Sequence, residues 1–173
     1  IVYLKSRDFC PVKLSNHFKL QFCTEPREGA FFRKTGYGFT MSPRNRIIFN
    51  IVVGGEIKGW QSRILEIVAP DTDGVRHKYF YHTTQDRWFP IFKEVEGEWK
   101  QLPGPGGVEE KWDPAKYHLG SGTRRNQYLM GYDPSEAYDW IGITEGPLDA
   151  ARLGPPFCAA MGKSLSPAQA LMC

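Results

Sequence analysis

At 173 residues the chain is long enough for one large domain or two small ones, and with 41% hydrophobic and 24% charged residues it is neither a disordered nor a collagen-like polymer. The net charge of +3 conceals a lengthwise split: residues 1–65 carry eleven Lys and Arg against four Asp and Glu, a net of +7, whereas residues 66–173 carry eleven against fifteen, a net of −4. No apolar run approaches the roughly eighteen residues of a membrane span and no signal-peptide order opens the chain, which points to a soluble, cytoplasmic protein.

In chain order, residues 2–7 and 12–19 have the apolar spacing of two short helices, the second preceded by Pro11, and Leu20-Gln21-Phe22-Cys23 turns extended. Cys10, Cys23, Cys158 and Cys173 include no C-x-x-C pair and read as free thiols. Cys10, His17 and Cys23 match no common zinc spacing, so zinc is not expected here.

The clearest local signal is a hairpin. Arg46-Ile-Ile-Phe-Asn-Ile-Val-Val53 and residues 56–65 are β-branched runs joined by Gly54-Gly55, a link suited to a tight two-residue turn. Arg44, Arg46, Lys58 and Arg63 on this hairpin read as a basic strip for phosphate or as a solvated strand face. Aromatic-rich extended pieces follow at residues 78–81, 88–92 and 98–99, with a Glu96-Gly97 turn; their tryptophans read as core rather than as stacking platforms for bases. His77 and His82, five apart, face opposite ways on a strand. Asp71-Thr72-Asp73, beside Gly74, reads as a turn. The Leu-Pro-Gly-Pro-Gly-Gly stretch at residues 102–107 has no packable face and divides a first subdomain, 1–105, from a second, 106–173.

The rest of the chain is organised around residues 139–154. Residues 140–144 form a short apolar strand, Gly146 suits an N-cap, Pro147 suits the first helical position, and a second strand begins at Phe157. Glu145 thus stands at the carboxyl end of a buried strand, where α/β sheets place ligands, and Asp149, four residues on, faces the same way. Such a carboxylate pair suits magnesium, although the helix macrodipole alone also favours Asp in a first turn. Ser166-Pro167-Ala168-Gln169 is a capping box opening another helix. Gly162-Lys163-Ser164 has the tail of a phosphate-binding P-loop, but Phe157 occupies the position of its leading glycine, and that reading is rejected.

A series of stretches, in order, resembles the DnaG-type DNA primases of bacteria and phages. Tyr3-Leu4-Lys5-Ser6-Arg7-Asp8 is similar to the Tyr-Leu-x-x-Arg-Gly segment that opens the primase core, with Asp8 for glycine. Arg46, Phe49, Gly59 and Arg63 match the family's Arg-apolar-x-Phe strand and its partner, while Asn45 and Asn50 replace glycine and proline of many cellular members. Lys116-Tyr117-His118-Leu119 resembles the Lys-Tyr-Leu-Asn sequence, departing at its last two residues. Arg124, Arg125 and residues 128–131 fit the basic residue and turn before a helix, here residues 134–138. Glu145-Gly146-Pro147-Leu148-Asp149-Ala150 and residues 160–166 with Gln169 look like the first acidic motif and second strand of the Toprim module.

The resemblance implies an α+β chain: a mixed, antiparallel basic subdomain followed by the first half of a Toprim, Rossmann-like α/β subdomain. It implies magnesium- or manganese-dependent synthesis of short RNA primers on a single-stranded DNA template from ribonucleoside triphosphates, beside a replicative helicase. By resemblance Glu145 is the catalytic, metal-proximal residue, Asp149 its support, and Arg46, Arg63, Lys116 and Arg124 contact phosphate and template. The family's metal-holding Asp-x-Asp pair follows the next strand and has no counterpart in this sequence. Because the first residue is not Met and the last helix stops short, the chain reads as a piece of a longer protein, inactive by itself but binding single-stranded DNA in a salt-dependent way. Two rival readings stand beside this one: a Toprim protein of nuclease or topoisomerase chemistry that shares Glu145 but cleaves rather than joins, and a non-catalytic nucleic-acid-binding module that has lost its metal site.

Overall fold

The computed structural model describes residues 2–5, 9–24, 33–34, 40–41, 44–82, 85–104, 116–120 and 122–173. The architecture is mixed α+β, mostly antiparallel, with few and short helices. Contacts divide the chain into two compact units, one of Ile1–Arg63 with Tyr117–Cys173, the other Ile64–Lys116. The boundary expected between residues 105 and 106, and the resemblance at Ser6, Arg7 and Asp8, lie outside the described residues.

The first unit opens with α1 (Val2–Lys5) and α2 (Pro11–Phe18), the latter ending where Lys19 takes a left-handed φ of 47°. Leu4 of α1, Phe9 of the link and Leu14 and Phe18 of α2, four residues apart on one helix face, are buried. β1 (Gln21–Cys23), β4 (Arg46–Val53), β5 (Glu56–Ile64) and β10 (Tyr117–Leu119) form one sheet in the order β1-β4-β5-β10; β2 (Arg33–Lys34) and β3 (Thr40–Met41) make a separate pair. Ile47, Ile48, Phe49 and Ile51 are all essentially inaccessible, which is why this strand reads as a continuous apolar run rather than an alternating one. Gly54 and Gly55 both take positive φ, 62° and 76°, the geometry that a two-residue hairpin turn demands. Their amides donate to the two carboxylate oxygens of Asp133, at 2.9 and 2.8 Å. Asn45, standing where the resembled family has glycine, also has a positive φ of 54°, a conformation that Asn tolerates better than most side chains.

Tyr117–Leu119 pairs antiparallel with the far end of β5, matching Tyr117 with Arg63 and Leu119 with Gln61. This pairing brings a segment from beyond the intervening unit back onto the hairpin sheet, so the observed division falls after Arg63 and before Tyr117. The helix expected at residues 134–138 is corrected to a single 3-10 turn, Asp133–Ser135. Ser135 donates its hydroxyl to the Gly131 carbonyl at 2.8 Å, and the Asp133 carboxylate accepts from the hairpin-turn amides, so both polar side chains of this turn are engaged outside a helix.

β11 (Gly142–Thr144), α3 (Pro147–Leu153) and β12 (Phe157–Ala159) follow as a parallel βαβ unit, Ile143 opposite Cys158. Met130 bridges Ala159 from the other side, through backbone bonds of 3.0 and 2.9 Å. Leu129, Cys158 and Ala160 form a buried cluster with Tyr132, Ile141 and Met172 packed against it. α4 (Pro167–Ala170) starts at Ser166 with the full capping box: the Ser166 hydroxyl accepts from the Gln169 amide, and the Gln169 side chain accepts from the Ser166 amide.

The second unit is one antiparallel sheet, β6 (Glu66–Pro70), β7 (Arg76–His82), β8 (Arg87–Val95) and β9 (Glu98–Gln101), in sequence order. Ile64, Phe80 and Ile91 form its buried cluster, with Phe89 and Phe92 against it. His77 packs beside the Tyr79 ring and His82 beside Phe89. Trp99 lies under Arg76 and Lys78, the Lys78 ammonium 4.2 Å from its ring centre. Among the described residues no helix is long and apolar enough to cross a membrane.

Candidate functional site

Glu145 is exposed and immediately follows β11. The turn that presents it is fixed from both sides. The Thr144 hydroxyl bonds the Gly146 and Cys158 carbonyls at 3.1 and 3.2 Å, and Pro147 is buried at the first position of α3 behind the extended N-cap Gly146. A fixed backbone presenting an exposed carboxylate is an arrangement that lets a ligand or ion be met without refolding the turn.

The wall facing Glu145 comes from the hairpin sheet. Gln61 and Arg63 alternate on one face of β5, and Tyr117 lies opposite Arg63 on β10. The Arg63 guanidinium donates to the Tyr117 hydroxyl and lies 5.0 Å from that ring's centre, so it orients Tyr117 by both its polar tip and its face. The third wall comes from Arg125 and from the chain after β12. Met161, buried, takes a left-handed φ of 57°, which costs an L-residue about 1 kcal/mol and turns the backbone sharply before Gly162 and Lys163. Gln169 pins the two segments together. Its buried amide nitrogen donates to the carbonyls of Arg125, Tyr128 and Ala160 at 2.8, 2.9 and 3.0 Å.

Together Gln61, Tyr117, Arg125, Glu145, Met161 and Lys163, with Gly146, Pro147 and Gly162, enclose a cleft of about 410 Å³. A second lobe of about 220 Å³ shares Arg125 and Lys163 and continues past Asn126 and Ser164 toward Gln169. The cleft therefore carries two exposed cations, one exposed carboxylate, a phenol and an amide, all within the first unit. Such a set suits a polyanion, with the carboxylate available to a hard cation that accompanies it.

The residues expected from sequence are distributed unevenly about this cleft. Glu145 lines it. Asp149 does not; its carboxylate lies against the N-cap of α3, where a side chain on Gly146 would come within 3.1 Å of it, a place that the macrodipole favours. Lys116 and Arg124 are exposed and also lie off the cleft lining. The expected basic strip on the hairpin is corrected. Arg46 and Arg63 are only 4% and 7% exposed, Lys58 is paired with Glu56, and both arginine heads are turned onto β10, Arg46 reaching the His118 ring at 3.5 Å. Burial pushes the Arg46 guanidinium down to about 10, which leaves it charged at neutral pH.

Gln61, Tyr117, Arg125 and Lys163 were not singled out as site residues by sequence. Tyr117 and Arg125 lay inside stretches that carried the resemblance and Lys163 in the Gly-Lys-Ser tripeptide set aside as a failed P-loop, whereas Gln61 carried no signal. In the second unit the ligand atoms of Asp71, Asp73 and His77 lie within 4.8 Å of one another. The carboxylates there accept from the amides of Thr72 and Val75 at 2.8 and 2.9 Å, as expected of a turn, and His77 Nδ1 meets the Val75 carbonyl at 2.9 Å. Comparison of the chain with protein-family models, curated proteins and solved structures finds no match.

Proposed function

We propose that the chain serves template-directed ribonucleotide polymerisation, the DNA primase activity of the DnaG-type enzymes that its motifs resemble, with β11-α3-β12 as the opening of a Toprim module. The observation that carries this reading is the cleft: a carboxylate at the end of a parallel strand faces two cations and the end of the hairpin sheet. Primer synthesis joins a 3'-hydroxyl to the α-phosphate of an incoming ribonucleoside triphosphate and releases pyrophosphate. Arg125 and Lys163 would hold the phosphates, and Tyr117, fixed by Arg63, would orient the nucleotide against the sheet. A magnesium or manganese ion, when bound, supplies neutralisation of charge at the phosphates, and Glu145 is the residue in the cleft fitted to hold it. Single-stranded DNA is the proposed template and a replicative helicase the proposed partner.

The test is primer synthesis by the native protein from ribonucleotides on single-stranded DNA with magnesium. Glu145→Gln should abolish product, by at least about a hundredfold, while leaving the thermal midpoint and DNA binding unchanged, because Glu145 is exposed and its neutralisation disturbs no packing. Product at the unsubstituted level from this variant would remove Glu145 from the chemistry. Cleavage of DNA in place of synthesis would favour the nuclease-like Toprim reading.

A further inference from the structure

Gln61 is the polar residue of the cleft that the fold itself does not explain. Its side chain is 6% exposed, it forms part of the cleft wall beside Tyr117, and its Oε1 has no hydrogen-bond partner among the described residues. A buried acceptor left unsatisfied is costly, and a leucine or methionine would occupy the same strand position without that cost. The cleft is also polarised: Arg125 and Lys163 belong to both lobes, whereas Gln61 and Tyr117 belong to the larger lobe alone. A ligand with a polyanionic end and a hydrogen-bonding, stackable end fits that order.

Building on the proposed function, we propose that Gln61 determines ligand specificity: its Oε1 accepts a hydrogen bond from the nucleoside portion of a nucleotide whose phosphates lie between Arg125 and Lys163. The donor is the ribose 2'-hydroxyl or the amino group of the base. Discrimination follows because a ligand lacking the donor leaves the acceptor buried and unpaired.

Calorimetric titration of this chain with ATP, 2'-deoxyATP and purine riboside triphosphate, with magnesium present, tests the assignment. Gln61→Leu should weaken ATP about tenfold, the effect of one lost hydrogen bond, while the thermal midpoint holds or rises. One analogue should bind the unsubstituted chain as weakly as ATP binds the variant, and should lose nothing further in the variant. That analogue is 2'-deoxyATP if the 2'-hydroxyl is read and purine riboside triphosphate if the amino group is. Equal affinity of the unsubstituted chain for all three ligands overturns the inference whatever the variant does. So does ATP affinity that survives Gln61→Leu but falls with Arg125→Ala, and this outcome leaves the proposed function standing. Failure of the unsubstituted chain to bind any of the three overturns both.

Discussion

The arginines of the hairpin and the cations of the cleft make opposite use of the same charge. Arg46 and Arg63 come from the strongly basic first part of the sequence, yet they are buried in a sheet and reach His118 and Tyr117 of β10. Arg125 and Lys163 come from the part with a net charge of −4, yet they are exposed and meet at one cleft. The difference teaches that charge counted along a chain does not predict charge presented in space. A guanidinium on a central strand covers apolar neighbours with its stem and fixes a partner strand with its head, while an exposed cation on a loop is free to meet a ligand.

The contrast can be broken most forcefully at the hairpin. Arg63→Ala should lower the free energy of unfolding by about 2–4 kcal/mol, since it removes a buried stem and leaves Tyr117 without its donor. Arg46→Ala should act in the same direction through His118. Urea denaturation followed by tryptophan fluorescence measures both. Losses below about 0.5 kcal/mol would show that these arginines are surface residues after all.

The mirror experiment sharpens the other side. Paired replacement of Arg125 and Lys163 by Ala should change stability by less than about 0.5 kcal/mol, because both are exposed. It should lower affinity for a nucleoside triphosphate about tenfold to a hundredfold and flatten the dependence of that affinity on salt. Titration calorimetry across a salt series decides, and an unchanged affinity would mean that the cleft does not hold phosphate.

The smallest expected effect lies at Cys158, in the middle of β12, where the buried thiol packs against Gly131 and Ser135. Burial raises this thiol from an ordinary value of 9.0 to about 11, with the Ser135 side chain working against the shift. A neutral thiol is thus favoured by the folded chain. Its contribution to stability is complete below pH 9 and is lost as pH rises toward about 11, where the unfolded thiol ionises first. Thermal midpoints of the unsubstituted chain and of Cys158→Ala should therefore converge over that window, and parallel pH profiles would show that the thiol carries no such linkage.

Much of the local structure was legible in the sequence because it is encoded locally. Two glycines between β-branched runs give the hairpin, Gly146 and Pro147 start α3, Ser166 and Gln169 close a capping box, and Asp71 to Gly74 turn the chain. The position of Glu145 at a strand end followed from the same short-range rules. What the sequence left undecided was every contact that joins distant segments. Nothing in the residues around Tyr117 says that they return to pair with β5, so the burial of Arg46 and Arg63 was invisible and their charge was read as surface. Residues 134–138, expected as a helix, form only a 3-10 turn, Asp133–Ser135, whose Asp133 carboxylate is held by the remote Gly54 and Gly55 amides. The cleft is the extreme case. Its walls are separated by up to about a hundred residues, and only the packing of β5 and β10 near the βαβ unit, with Gln169 fastening the Arg125 loop to the end of β12, gathers Gln61, Tyr117, Arg125 and Lys163 around Glu145.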